Sequence, residues 1–141
     1  MQMSTKVRYA SRAMIELALN YKVEPVQLND IASKQGISVK YLEQIMAPLR
    51  ARGIVRTQKG SRGGYHLALK PENITLCDIV ESIEGSLAPV ACVDNGDSCE
   101  RSEMCVTRSV WVRVKDAITN ELKAKTLAEL AAEQESLYHK V

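Results

Sequence analysis

Gln35-Gly36-Ile37-Ser38-Val39-Lys40-Tyr41-Leu42-Glu43-Gln44 carries, within ten residues, the end of one helix and the start of another. Upstream, Leu28, Ile31 and Ala32 recur at helical spacing, which predicts a short helix over 28–35. Gly36 then stands where a left-handed C-terminal cap is wanted. Ser38 is a natural N-cap for the next helix. In that helix Tyr41, Leu42, Ile45 and Leu49 alternate with Lys40, Glu43, Gln44, Arg50 and Arg52. A short helix, a glycine turn and a second helix with polar first turns make a helix-turn-helix. Pro48 lies inside the second helix and predicts a kink or a restart near Met46–Ala47.

The residues downstream make the motif more specific. After Gly53 comes the β-favouring run Ile54-Val55-Arg56-Thr57, then Gln58-Lys59-Gly60-Ser61-Arg62-Gly63-Gly64, then Tyr65-His66-Leu67-Ala68-Leu69. Two short strands around a basic, glycine-rich turn form a hairpin, and a hairpin directly after a helix-turn-helix is a wing. The glycines do not match Gly-x4-Gly-Lys-Ser/Thr between strand and helix, which excludes a nucleotide-binding P-loop.

Ahead of this unit, Val7, Ala10, Met14, Leu17 and Tyr21 predict a helix over 5–21, with Arg8 and Arg12 together on another face. Two cations near a helix N-terminus oppose its dipole, so a nearby phosphate or carboxylate suits them. Behind it, Thr75 and Asp78 have capping-box spacing and open a helix over 75–84, ended by Gly85. Leu76, Ile79, Val80 and Ile83 line its core face, and Cys77 reads as packing. A long helix is expected over 106–125. Its stripe of Val106, Val110, Val114, Ala117, Ile118 and Leu122, together with Trp111 and Val112, is too apolar for one buried face and predicts a partner subunit. Thr126 and Glu129 form a second capping box, opening a last helix with Leu127, Leu130 and Leu137.

Between these helices lies Cys92-Val-Asp-Asn-Gly-Asp-Ser-Cys99-Glu-Arg-Ser-Glu-Met-Cys105, three of the four cysteines within fourteen residues. The segment is polar and acidic and has no apolar period, so something other than a hydrophobic core must hold it. No run is long and apolar enough to cross a membrane, and the N-terminus lacks an apolar stretch resembling a signal peptide. The expected compartment is the cytoplasm, where clustered cysteines favour metal binding or redox sensing over structural disulfides. An iron–sulfur cluster, a structural zinc site and a thiol switch are all open on these residues. Gaps of six and five residues suit zinc poorly, and a switch needs only two of the thiols. The rival from another class, a small thiol or iron–sulfur redox protein, lacks a Cys-x-x-Cys pair.

Charge separates the halves. Residues 1–70 carry 12 Lys+Arg against 4 Asp+Glu, or +8, and residues 71–141 carry 7 against 13, or −6. A basic half beside an acidic one points the first half at a polyanion. The expected organisation is a winged helix-turn-helix DNA-binding region over 1–85, a cysteine-rich loop over 86–105, and a dimerisation helix with a C-terminal helix over 106–141. The fold class is mainly α with a small two-stranded β-wing.

Arg8-Tyr9-Ala10, Gln35-Gly36-Ile37-Ser38, Tyr41-Leu42-Glu43-Gln44, Gly63-Gly64-Tyr65, and three cysteines followed by Trp111 together resemble the IscR-type winged-helix regulators. The resemblance runs from about Met3 to Leu130. It implies a transcription regulator rather than an enzyme, a homodimer whose long helices cross near the cysteine loops, and a cluster, usually 2Fe–2S, on Cys92, Cys99 and Cys105. Two departures stand out. The first cysteine gap is one residue longer than in that family. Arg108 also occupies the place of the family's histidine ligand, and arginine stays protonated. Arg8 likewise stands where related regulators recruit a ligand from the partner. The fourth ligand is unassigned among His66, His139, Cys77, Asp94, Asp97 and an exogenous thiol.

For double-stranded DNA, the second helix of the motif is expected to enter the major groove with Lys40, Tyr41, Glu43 and Gln44 exposed. Gln44 can read adenine, and Glu43 can accept from cytosine while repelling phosphate. Lys59, Ser61 and Arg62 on the wing are expected beside phosphates or in the minor groove. Arg50 and Arg52 read equally well as solvated surface. Gain or loss of a cluster is expected to reorder residues 92–105 and shift the dimer helices.

Overall fold

A computed structural model describes residues 1–140; Val141, the last residue of the expected C-terminal segment, lies outside them. Helix α1 spans Thr5–Leu19, with the Ser4 hydroxyl accepting from the Val7 N–H at 3.2 Å. Val7, Ala10, Met14 and Leu17 are buried as their spacing predicts. The helix stops two residues short of Tyr21, because Lys22 adopts a left-handed φ of 64° and Pro25 comes soon after. Helix α2 is Leu28–Gln35 and α3 is Val39–Ala51. Gly36 between them has φ 67°, and the Ser38 side chain accepts from the Tyr41 N–H at 3.1 Å.

Pro48 does not restart α3, which runs unbroken through it. The ring removes only the bond to the carbonyl of Gln44, an exposed residue where water can replace it. Leu42, Ile45, Met46 and Leu49 on the opposite side are fully buried and hold the helix to the core.

Strands β1, Val55–Gln58, and β2, Gly64–Leu67, pair antiparallel with Val55 opposite Leu67 and Gln58 opposite Gly64. The wing is tied to the loop between α1 and α2 by reciprocal bonds of 2.8 Å between Val26 and Tyr65. That close approach explains the glycines. A β-carbon on Gly63 would lie 2.0 Å from the Gln58 carbonyl oxygen, and one on Gly64 would lie 2.6 Å from that of Val26.

Helix α4, Leu76–Glu84, opens with both halves of the expected capping box: Thr75 N–H to Asp78 Oδ2 at 2.8 Å and Asp78 N–H to Thr75 Oγ1 at 3.3 Å. Cys77 is buried on it, in keeping with a packing role. The thiol lies 3.3 Å from Glu81 Oε1, and burial, then that carboxylate, push it up to about 11. The cysteine segment is more ordered than its composition suggests. It holds a one-turn helix, α5, at Ala91–Asp94, and 3-10 turns at Gly96–Ser98 and Ser102–Met104.

Helix α6, Val106–Lys123, rests on α4 and α5 and has no fully buried residue. Helix α7, Leu127–Tyr138, then turns back onto α1. Its Thr126–Glu129 capping box is complete, and the Leu127 N–H donates to the Ile74 carbonyl at 2.7 Å. Leu127 is buried in the same core as Met14 and Ile79, while Leu137 is exposed. The sole buried charged residue among those described, Glu16, fastens this end: Lys34 Nζ lies 2.9 Å from Oε2 and the Tyr138 hydroxyl donates to Oε1 at 2.9 Å. No helix among the described residues is long and apolar enough to cross a membrane.

Candidate nucleic-acid interface and cysteine site

Helix α3 and the turn of the wing both expose polar residues. Lys40, Glu43 and Gln44 are exposed on α3, and Lys59, Ser61 and Arg62 are exposed at the turn between β1 and β2. Tyr41 differs from the sequence expectation. It is half-buried, its ring meeting that of Tyr9 edge-on with centroids 6.1 Å apart. A first-turn tyrosine one step before a core leucine leans over the groove between α1 and α3, so packing takes the ring and leaves its edge at the surface. Arg12 also approaches Tyr9, 5.9 Å from the ring centroid, and reaches Gln35 Oε1 at 3.4 Å. This links α1, α2 and α3 beside the exposed face.

Between α3 and the wing root lies an open cleft of about 630 Å³ lined by Glu43, Ala47, Arg50, Ala51 and Tyr65. Arg50 therefore faces the wing rather than unrelated solvent. The spacing of Glu43, Ala47 and Arg50 at helical steps carried that signal, but only the placement of the wing gives the row a meaning. Ion pairs among the described residues are confined to Glu16–Lys34, Asp94–Lys115 and Lys125–Glu133. Lys40, Arg50, Lys59 and Arg62 are in none of them. Exposed cations in no ion pair, on one face of a helix and on the turn of a wing, suit a polyanion.

At the other end, Cys92 sits on α5, Cys99 comes directly after the first 3-10 turn, and Cys105 is the residue before α6. All three are free thiols; Cys99 is exposed and the other two are half-buried. The Thr107 hydroxyl, 3.2 Å from the sulfur, together with the Arg108 N–H at the start of α6, holds the Cys105 thiol below its ordinary value. Asp94 is engaged by Lys115 Nζ at 2.7 Å and by the Ser86 hydroxyl, so its carboxyl is held below the usual range by these two partners in that order. The Arg108 guanidinium is engaged as well: Nε donates to the Cys92 carbonyl oxygen at 3.0 Å.

Three uncombined cysteine sulfurs suit an iron–sulfur cluster by donor chemistry. Among the described residues, however, no three His, Cys, Asp or Glu side chains gather closely enough to hold a metal ion. Of the candidate fourth ligands, Asp94 and Asp97 lie within the loop and the others are dispersed. Cys77 is in the core, His66 is on β2 with a buried, unpartnered Nδ1, and His139 ends α7.

Comparison with known proteins adds to this geometry. The family model described as Rrf2, iron-dependent transcriptional regulator, matches residues 3–133. The chain is 39% identical over 130 residues to protein rrf2 of Nitratidesulfovibrio vulgaris, covering 92% of this chain and 87% of that one. Among solved structures it is similar to T. potens IscR, with 38% identity, a TM-score of 0.78, and 97% of this chain and 90% of that one covered. It is also similar to CymR (YrzC), described as the global cysteine regulator of B. subtilis, with 37% identity, a TM-score of 0.77, and 94% and 98% coverage.

Proposed function

The chain belongs to the Rrf2 family of iron-dependent transcriptional regulators, and from that premise we propose that it is a cytoplasmic homodimer that reads a roughly palindromic operator under the control of an iron–sulfur cluster. The enzyme alternative falls away, because the family, the IscR of Escherichia coli at 36% identity and CymR are all regulators.

The observation that carries the DNA reading is the α3–wing face, with Lys40, Glu43 and Gln44 beside Lys59, Ser61 and Arg62 and its cations in no ion pair among the described residues. Lysines and arginines there bind phosphates without regard to sequence, which sets affinity and orientation. Gln44 and Glu43 read base edges in the major groove, and Tyr41 braces the helix that carries them. Arg50, in the cleft between helix and wing, is placed for a backbone strand. Specificity comes from the contrast: a carboxylate at Glu43 costs affinity wherever the right base is missing.

Dimerisation rests on α6. Val106, Val110 and Trp111 are 85%, 39% and 38% exposed along this helix, and Met104 just before it is 91% exposed. A second copy that covers this apolar row removes it from water, and a two-fold axis there doubles the recognition helices to match two half-sites.

Cys92, Cys99 and Cys105 would hold the cluster, of the 2Fe–2S type by the family resemblance. When bound, such a group supplies a centre that oxygen, nitric oxide or iron supply can alter. The chain's own part is to keep the three thiols on a loop that rests directly on α6. Any change of charge or ligation there bears on the helix that sets the distance between the two recognition helices.

The testing experiment is oxygen-free purification followed by measurement of iron, acid-labile sulfide and zinc per chain, with mass in solution by light scattering. Iron and sulfide in equal amounts on a dimer support the reading. Zinc without sulfide replaces the sensor with a structural site, and a monomer overturns the operator symmetry.

A further inference from the structure

We propose that Arg108 is the positioning residue of the cysteine loop: it clamps the backbone of Cys92 and Cys105 into one body without any metal. The side-chain bond makes the clamp, and the backbone bond beside it is the ordinary opening bond of α6. The Arg108 N–H donates to the Cys105 carbonyl at 3.2 Å, and its side-chain Nε donates to the Cys92 carbonyl at 3.0 Å. The first and third thiol-bearing residues of the loop are thereby fastened to the first turn of α6. The intervening loop runs against the same guanidinium, since a β-carbon on Gly96 would stand 3.9 Å from Arg108 Nη2.

A second tie lies two helical turns further along the same face of α6, where Lys115 Nζ meets Asp94 Oδ1 at 2.7 Å. The short helix α5 is therefore pinned near both ends, at Cys92 by Arg108 and at Asp94 by Lys115. Each tie carries a full charge on at least one partner, so each is stronger than a neutral hydrogen bond. Arginine suits this place because its planar donors hold a carbonyl at fixed direction and never lose their proton.

The consequence deepens the cluster reading on which it rests. In this chain the residue three positions after the third cysteine supplies order where the IscR-type pattern has a ligand. A loop seated by these ties would report occupancy through ligation and charge rather than through its folding, in place of the reordering of residues 92–105 that the sequence suggests.

The test is backbone hydrogen exchange on metal-free, reduced protein kept under argon, comparing wild type with Arg108→Gln and Arg108→Lys. The amides of Val93 and Asn95, which close α5 on the carbonyls of Val90 and Ala91, are the reporters. They are expected to be protected in metal-free wild type and to exchange about tenfold faster in Arg108→Gln. Arg108→Lys, which keeps a charged donor, recovers part of the protection, while amides of α3 and the wing are unchanged in both. Free exchange in metal-free wild type overturns the clamp, and so does protection that survives Arg108→Gln. Wild type from the same preparation is then offered iron and sulfide; failure to take them up overturns the cluster reading alone and leaves the clamp standing.

Discussion

Glu16→Gln keeps the shape of a buried side chain and removes its charge. Glu16 is 3% exposed, and its two oxygens serve Lys34 of α2 and Tyr138 at the end of α7, each at 2.9 Å. Removing one member of a buried pair costs roughly 3–5 kcal/mol. Two features lower that figure here. The Lys34 side chain is 59% exposed and regains water once released, and the glutamine oxygen still accepts from Tyr138. The expected loss is about 1–2 kcal/mol, or a midpoint lower by roughly 3–8 °C for a domain of this size. The sign with pH comes from the partners. The hydrogen bond to Glu16 raises both the Lys34 ammonium and the Tyr138 phenol above their ordinary values of 10.5 and 10.0. The contribution is therefore fully present at neutral pH and is lost as pH climbs through those raised values. Thermal unfolding of wild type and Glu16→Gln, monitored by circular dichroism at pH 7 and about pH 11, checks both statements. Midpoints that coincide at neutral pH, or a gap that persists undiminished in alkali, refute the argued role.

Gly64→Ala meets the Val26 carbonyl at 2.6 Å and a φ of 153° that alanine resists; the expected cost is more than about 2 kcal/mol by urea denaturation, with weaker DNA binding because the wing root shifts. Lys59→Ala combined with Arg62→Ala is expected to weaken every DNA sequence alike and to lower the salt slope of log K by about 1.8, read by fluorescence anisotropy across a salt series. Gln44→Ala is expected instead to change which operator positions matter, with little change in that slope. Burial and Glu81 hold the Cys77 thiol at about 11 against an ordinary 9.0. Its stabilising share is intact below the lower value and declines as pH rises toward the upper one, and at neutral pH alkylation of the metal-free chain followed by mass spectrometry is expected to label Cys92, Cys99 and Cys105 while sparing Cys77 until the chain unfolds.

Much of the fold was legible because its devices are local. Gly36 and Ser38 fix the turn of the helix-turn-helix, the pairs Thr75–Asp78 and Thr126–Glu129 start two helices where they are found, and the apolar rows of α1 and α3 are buried as spaced. What escaped is long-range or carried by polar bonds. The Glu16–Tyr138 contact joins residues 122 apart, and nothing in the α7 sequence names α1 as its seat. Pro48 reads as a break only while the buried face opposite it is left out of account. Helix α5 has no apolar period, since its order comes from Arg108, Lys115 and neighbouring side-chain caps rather than from burial. At the candidate sites, residue types could be read from the sequence and their placement could not. The three thiols and the wing cations could be named, but the half-burial of Tyr41, the position of Arg50 beside the wing and the engagement of Arg108 required the folded chain.

The most direct test of the central claim is operator affinity measured without oxygen, comparing the wild-type chain as isolated with its Cys92→Ala/Cys99→Ala/Cys105→Ala variant on sites selected from random DNA. If the cysteine loop controls the DNA-reading face, the two proteins differ in affinity at one or more selected sites while their affinity for unselected DNA stays the same. Identical affinity at every site contradicts the coupling and leaves a DNA-binding protein whose cysteines serve another purpose.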